Sequence, residues 1–103
     1  MSAMFAFEVG ETMMRSATFE VILGDLKRAL TNPEELQVVD DALIVNCLWV
    51  DKIPPARKPS VLSALYRVLD DNMSSGAHVN DETALIEIRA LRHELQRRYP
   101  QML

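Results

Sequence analysis

The sequence has few of the residues that common enzyme motifs require. It contains one cysteine, two histidines and three glycines in 103 residues. Gly10, Gly24 and Gly76 are too far apart for a dinucleotide-binding fingerprint, and no Gly-Lys-Ser/Thr sequence is present to form a phosphate-binding loop. One cysteine and two histidines are too few for the usual Cys/His zinc site. We therefore expect no cofactor and no bound metal.

The polar residues also provide no recognisable nucleophile–base pair. Cys47 lies within an apolar run, which favours a small buried hydrophobe over a reactive thiol. His78 lies in a Ser/Gly loop and His93 lies among arginines, and both are expected to be exposed. The acid pairs Asp40-Asp41 and Asp70-Asp71 would point about 100° apart on a helix, so neither pair could easily hold one metal ion. We predict no catalytic residue and interpret the chain as a non-enzyme.

Long hydrophobic runs are absent as well. The longest fully apolar stretch, Ala42–Val45, is far shorter than the ~20 residues that span a bilayer. The first ten residues are apolar, but they lack a positive region and are interrupted by Glu8, which is unlike a signal peptide. With a single cysteine, the expected location is the cytoplasm, away from membranes.

What is present is the composition of one small globular domain spanning residues 1–103. Apolar residues make up 49% and charged residues 25%. The net charge of −4 disfavours broad nucleic-acid binding, which needs a basic face. The charge is uneven, since residues 1–51 carry nine acids and three bases while residues 52–103 carry six acids and eight bases.

Hydrophobic periodicity predicts four helices. Spacings of 4, 3 and 4 between Phe19, Leu23, Leu26 and Leu30 favour a first helix over residues 11–30. Asn32 as the cap and Pro33 in the first turn predict a second helix, which we expect to continue through Val50. Within it, residues 42–50 are rich in β-formers and leave a buried strand open as an alternative.

The second half continues the helical pattern. Three prolines in residues 53–59 predict a semi-rigid interhelical loop. A third helix is expected from a cap at Ser60 until it fades at residues 70–72. A fourth is expected from a cap at Asn80 or Asp81 until Pro100 stops it. The predicted fold is therefore all-α, a small antiparallel bundle of about four helices preceded by an apolar N-terminal arm at residues 1–10.

The arm is the most distinctive feature. Phe5 and Phe7 alternate with smaller residues, and Met13 and Met14 follow; such side chains form adaptable contact surfaces. The arm could lie on its own bundle, on a second copy of the chain or on a different protein. Since the apolar surface looks larger than 103 residues can bury, we expect a homodimer.

These features predict a small regulatory protein that acts by binding another protein. In size, acidity and helix content it is similar, at class level, to small bacterial proteins that inhibit or escort a partner, such as antiactivators that capture a transcription factor, bacteriocin-type immunity proteins and secretion chaperones. The predicted partner-binding residues are apolar anchors with a charged rim, namely Phe5, Phe7, Met13, Met14, Arg57, Arg89 and Arg92. The alternative is a DNA-associated regulator that uses the basic side of the last helix, although that helix also carries four acids.

Overall fold

The computed structural model describes residues 2–103, and it shows an α+β fold. In that part of the chain, four α-helices pack on a three-stranded sheet with the order β2-β1-β3. The strands are β1 (Ser2–Ala6), β2 (Glu11–Arg15) and β3 (Cys47–Trp49). The helices are α1 (Ser16–Ala29), α2 (Pro33–Val45), α3 (Lys58–Ser74) and α4 (Glu82–Arg98).

The prediction of an all-α bundle is therefore wrong. The supposed N-terminal arm forms β1, the central strand of the sheet, and residues 11–15 form β2 instead of the start of a helix. A turn at Gly10, with φ of 87°, joins the two strands as an antiparallel hairpin in which Met4 faces Met13. Positive φ favours glycine, which explains the break between the strands.

The second predicted helix also ends early. Asn46 adopts a left-handed conformation, with φ of 54°, and its N–H donates to Ala42 O to cap α2. The chain then enters β3, which pairs in parallel with β1. Helix and strand were competing interpretations of residues 42–50, and each is correct for one part of the segment.

Other helix boundaries agree more closely with the pattern. Asn32 Oδ1 accepts hydrogen bonds from the Glu34 and Glu35 N–H groups, and Asp81 caps α4 by accepting from Ala84 N–H at 3.0 Å. Helix α3 begins at Lys58, two residues before the predicted cap, and runs on to Ser74. The proline-rich loop is correspondingly shorter than predicted, because Pro59 lies in the first turn of α3.

The helices cover one face of the sheet and build the core against it. Phe5 of β1 is fully buried, and its ring lies 5.2 Å from that of Phe19 in α1. Burial of such side chains supplies most of the favourable free energy of a domain this small. The fully buried aliphatic side chains of the helices are Ile22, Leu23, Leu26, Val39, Leu62, Leu65, Leu69, Ile88, Leu91 and Leu95.

Candidate functional site

The face of the sheet opposite the helices carries several apolar side chains that the described chain leaves partly exposed, with the exposed Glu11 opposite Ala6 at one end. Alternation along a strand sends every second side chain to this side. The register places Met13, Met4 and Cys47 in one row and brings Ala6 beside Trp49 in the next. Cys47 is buried in this row, whereas Met13 and Trp49 are 52% and 44% exposed. We refer to Met4, Ala6, Met13 and Trp49 as the open face.

Two exposed aliphatic residues lie at the end of α2, which leads into β3. Ile44 and Val45 are 81% and 53% exposed, and they immediately precede Asn46, whose carbonyl accepts a hydrogen bond from Met4 N–H. The left-handed turn at Asn46 thus follows two exposed aliphatic residues that lie just before β3 in the chain. Scattered exposed apolar residues are ordinary, but a group of this kind is typical of an interaction surface.

Trp49 has a cationic neighbour. The ammonium group of Lys52 lies 5.5 Å from the centre of the indole ring, within the range of a cation–π contact. Tryptophan is one of the residues that contribute most to binding at protein interfaces, because it offers a large rigid surface.

A small pocket of about 150 Å³ lies beside β3. Its walls are apolar, and Asp41 and Lys52 provide its charges. Pockets for cofactors usually enclose about 300–1,000 Å³, so this one suits a single side chain better than a small-molecule ligand. Cys47 lines it, and burial raises the pKa of its thiol, which keeps the group protonated and poorly nucleophilic.

Three of the four predicted apolar anchors lie in the core. Phe5, Phe7 and Met14 are all less than a tenth exposed because they point toward the helices. The aromatic residues of the supposed arm therefore cannot anchor a partner on this surface. Met13 alone among the four belongs to the open face.

The predicted charged rim is dispersed over the helical side of the molecule. Arg57 lies near two carboxylates, 3.8 Å from Glu34 and 3.9 Å from Glu35. Arg92 bonds Asp70 at 3.1 Å and stacks on the Tyr66 ring. Arg89 is exposed on α4, one turn before Arg92.

The basic side of α4 is extensively neutralised. Both Arg97 and Arg98 contact the carboxylate of Glu94 within α4. Together with the Arg92–Asp70 pair, these contacts occupy three of the four arginines that the DNA-binding alternative requires. A DNA-binding helix needs such groups free for phosphates.

Sequence reasoning missed Trp49, Ile44 and Val45 as surface residues. All three belong to the apolar run 42–50, which predicts burial. The only local signal was Asn46, since asparagine is one of the few residues that tolerate the left-handed conformation.

Within residues 2–103, no three His, Cys, Asp or Glu side chains are grouped so that they could hold a metal ion. No helix in the same range combines the length and hydropathy needed to cross a bilayer. No protein family, curated protein or solved structure matches the chain.

Proposed function

We propose that this is a non-enzymatic regulatory protein that acts by binding another protein through the open face and the adjoining end of α2. The observation that carries the proposal is the exposure of Trp49 and Met13 on a sheet whose other face is fully covered. A sheet with one apolar face uncovered has an incomplete layer, which a partner would complete.

The chemistry of the surface supports a protein as the ligand. Tryptophan and methionine are enriched at protein interfaces, where they desolvate well and adapt to a partner's shape. Truncation of a tryptophan at the centre of such an interface costs ~2 kcal/mol or more of binding free energy. The engaged arginines of α4 favour this proposal over the DNA-binding alternative.

The finer proposal is an antiactivator or inhibitor that sequesters a bacterial transcription regulator in the cytoplasm. Sequestration requires only that one surface be occupied, and it needs no catalytic group. The partner would cover the open face with one of its own surfaces. That surface would then be blocked for any other interaction.

The test is affinity capture from cells of the source organism with three versions of the chain. The wild type and Ile86→Lys should retain one protein near stoichiometry, because Ile86 is exposed on α4, outside the open face. Met13→Lys should lose that protein while keeping its helical circular dichroism. Equal capture by all three versions would contradict the proposal.

A second copy of the chain is the other possible occupant of this surface. Light scattering over a wide concentration range distinguishes the two cases. A dimer that Met13→Lys dissociates would assign the open face to self-association, and a monomer at all concentrations would leave it free for a different protein.

A further inference from the structure

A buried amide connects α1, α3 and the segment between α3 and α4, residues 75–81. Asn72 of α3 is only 6% exposed. Its Nδ2 group donates to Asp25 Oδ2 in α1 at 3.0 Å and to Val68 O at 2.9 Å. Its Oδ1 lies 2.7 Å from Nε2 of His78, which belongs to the segment. A buried side chain whose polar atoms are all bonded in this way orders the residues around it.

The partners of Asn72 determine where the His78 ring carries its hydrogen. Both hydrogens of the amide are in use, because the Asp25 carboxylate and the Val68 carbonyl can only accept. Turning the amide over would place its oxygen against these two acceptors, which excludes the other orientation. Since Oδ1 is also only an acceptor, the His78 Nε2 that faces it must carry a hydrogen.

Two of the three forms of the imidazole ring satisfy this requirement. The neutral ring with its hydrogen on Nε2 and the doubly protonated imidazolium both donate from Nε2, whereas the neutral ring with its hydrogen on Nδ1 does not. Proton uptake at Nδ1 therefore leaves the bond from His78 to Asn72 in place.

The charged groups around this chain of hydrogen bonds come from α1 and from the start of α4. Asp25 lies behind the amide and pairs with Arg28, and Asp81 pairs with Arg15. The pKa of Asp81 is lowered chiefly by the backbone hydrogen bond of the α4 cap, then by Arg15, and in part by a positive charge on His78. A charged ring thus meets a carboxylate of opposite sign.

The backbone of the segment continues the chain of bonds into α4. His78 O accepts from Asp81 N–H at 2.9 Å, and Asp81 Oδ1 accepts from Ala84 N–H at 3.0 Å. Gly76, with φ of 78°, permits a further turn in which its carbonyl accepts from Val79 N–H at 3.2 Å. Exposed connections are usually among the most mobile parts of a domain, but the His78 side chain ties this one to the buried side of α3.

We infer that Asp25, Asn72 and His78 form a latch that fixes the α3–α4 segment to α1 and stays closed whether or not the imidazole is charged. The Asp25 carboxylate polarises the amide, which strengthens its oxygen as the acceptor for the ring. The segment therefore moves with the helical layer and does not act as a hinge. None of the three residues belongs to the open face, so this inference does not depend on the proposed function.

Nitrogen-15 NMR of the imidazole rings in the wild type tests the placement of the hydrogen. At about pH 9, where an imidazole is ordinarily neutral, His78 should show a protonated Nε2 and an unprotonated Nδ1. His93 is exposed on α4 and should show the average of two exchanging tautomers, which makes it the internal control. A His78 ring that carries its hydrogen on Nδ1, or averages as His93 does, would overturn the inference.

Amide hydrogen exchange tests the latch with two substitutions of similar length. His78→Gln keeps an N–H donor near the position of Nε2, and His78→Met removes it. In His78→Met, the amides of Val79 and Asp81 should exchange about fivefold faster than in the wild type, the effect of one lost hydrogen bond. In His78→Gln they should stay within about twofold of the wild type.

Two controls keep this comparison specific to the latch. The amide of the buried Leu23 in α1 should exchange equally slowly in all variants, and His93→Met should leave the Val79 and Asp81 amides unchanged. Equal exchange in His78→Met and His78→Gln would overturn the latch. Because the NMR measurement uses the wild type alone, it decides the placement of the hydrogen even if His78→Met does not fold.

Discussion

The carboxylate of Glu87 receives hydrogen bonds from both the backbone N–H and the side chain of Arg15, at 2.7 and 3.1 Å. Its Oε1 also accepts from the Thr18 hydroxyl at 2.7 Å. One residue of α4 therefore secures the end of β2 and the start of α1 together. Arg15 reaches Asp81 as well, so the network extends to the cap of α4.

Replacing this carboxylate should destabilise the fold. Glu87→Ala leaves the Thr18 hydroxyl and the Arg15 N–H without their acceptor, and we expect a loss of about 2 kcal/mol in the free energy of unfolding. Urea denaturation measures it, with the exposed Gln96→Ala in the same helix as the control. A difference below ~0.5 kcal/mol between the two variants would show that the network contributes little.

Phe5→Ala should be among the most damaging single substitutions. Phe5 is fully buried against Phe19, and truncating a phenylalanine in a core costs about 3–5 kcal/mol. Met13→Ala, on the neighbouring strand but exposed, should stay within ~0.5 kcal/mol of the wild type. Similar denaturation midpoints for the two variants would contradict the placement of β1 in the core.

The left-handed conformation of Asn46 predicts a distinctive response to substitution. Asn46→Val should cost ~1–2 kcal/mol of stability, because a β-branched side chain clashes with the backbone at positive φ. Asn46→Gly should be nearly neutral, since glycine adopts this conformation freely. Thermal unfolding of both variants provides the comparison, and equal losses would argue against a turn at this residue.

Stability should fall in acid. Hydrogen bonds from Arg97 lower the pKa of Glu94 to about 2, with a smaller contribution from Arg98. Burial acts to raise the pKa of Glu87, but the hydrogen bonds from Thr18 and Arg15 outweigh it and lower that pKa as well. Groups with lowered folded-state pKa values stabilise the fold above their unfolded value of about 4.3, and this contribution is lost as the pH falls toward 2.

Urea denaturation between pH 7 and pH 2 tests this dependence. The wild type should lose stability progressively below about pH 4.5, and Glu94→Gln should show a shallower decline because one of the titrating groups is gone. Identical profiles for the two proteins would contradict the assignment to Glu94.

Cys47 should react slowly in the folded protein. Its side chain is buried, and burial raises the pKa of the thiol, so little thiolate is available to a reagent such as iodoacetamide at pH 8. Labelling should become fast in concentrated urea. Equally fast labelling in both conditions would show that the pocket beside β3 opens readily.

Local signals identified the parts of the fold that depend on neighbouring residues. The caps of α2 and α4 lie at Asn32 and Asp81. In each cap, the side-chain oxygen accepts a hydrogen bond from an N–H group three residues further along the chain, so the spacing of the residues was enough to predict it. The leucine stripe of α1 was equally visible, because a helix repeats its buried positions every three or four residues.

The sheet depends on contacts that spacing cannot reveal. The period-two alternation of Phe5 and Phe7 is a strand signal, but β1 gains its parallel partner from Cys47, more than forty residues away. With three residues, β3 is too short for periodicity to distinguish it from the end of a helix. Met13 and Met14 also lie within residues 11–30, where the pattern predicts a helix, and the turn at Gly10 instead starts a strand there.

The candidate site was the least predictable part. Met13 was recognised as a surface residue, but Phe5, Phe7 and Met14 belong to the opposite side of the same strands. An apolar residue in a strand contributes to the core or to a binding surface according to which face the helices cover. That choice is made by the tertiary arrangement of the helices.

The central position of β1 also sets the order in which the domain can assemble. The hairpin of β1 and β2 forms from neighbouring residues, so it is available early in synthesis or refolding. Its second edge stays unsatisfied until α1 and α2 have been made and Cys47–Trp49 arrives. The nascent chain thus passes through a stage in which one edge of β1 has no partner strand. Pairing that edge with β3 requires the closure of a long loop, which makes parallel pairing slow. We therefore expect the pairing of Cys47–Trp49 with β1 to be a slow step in folding.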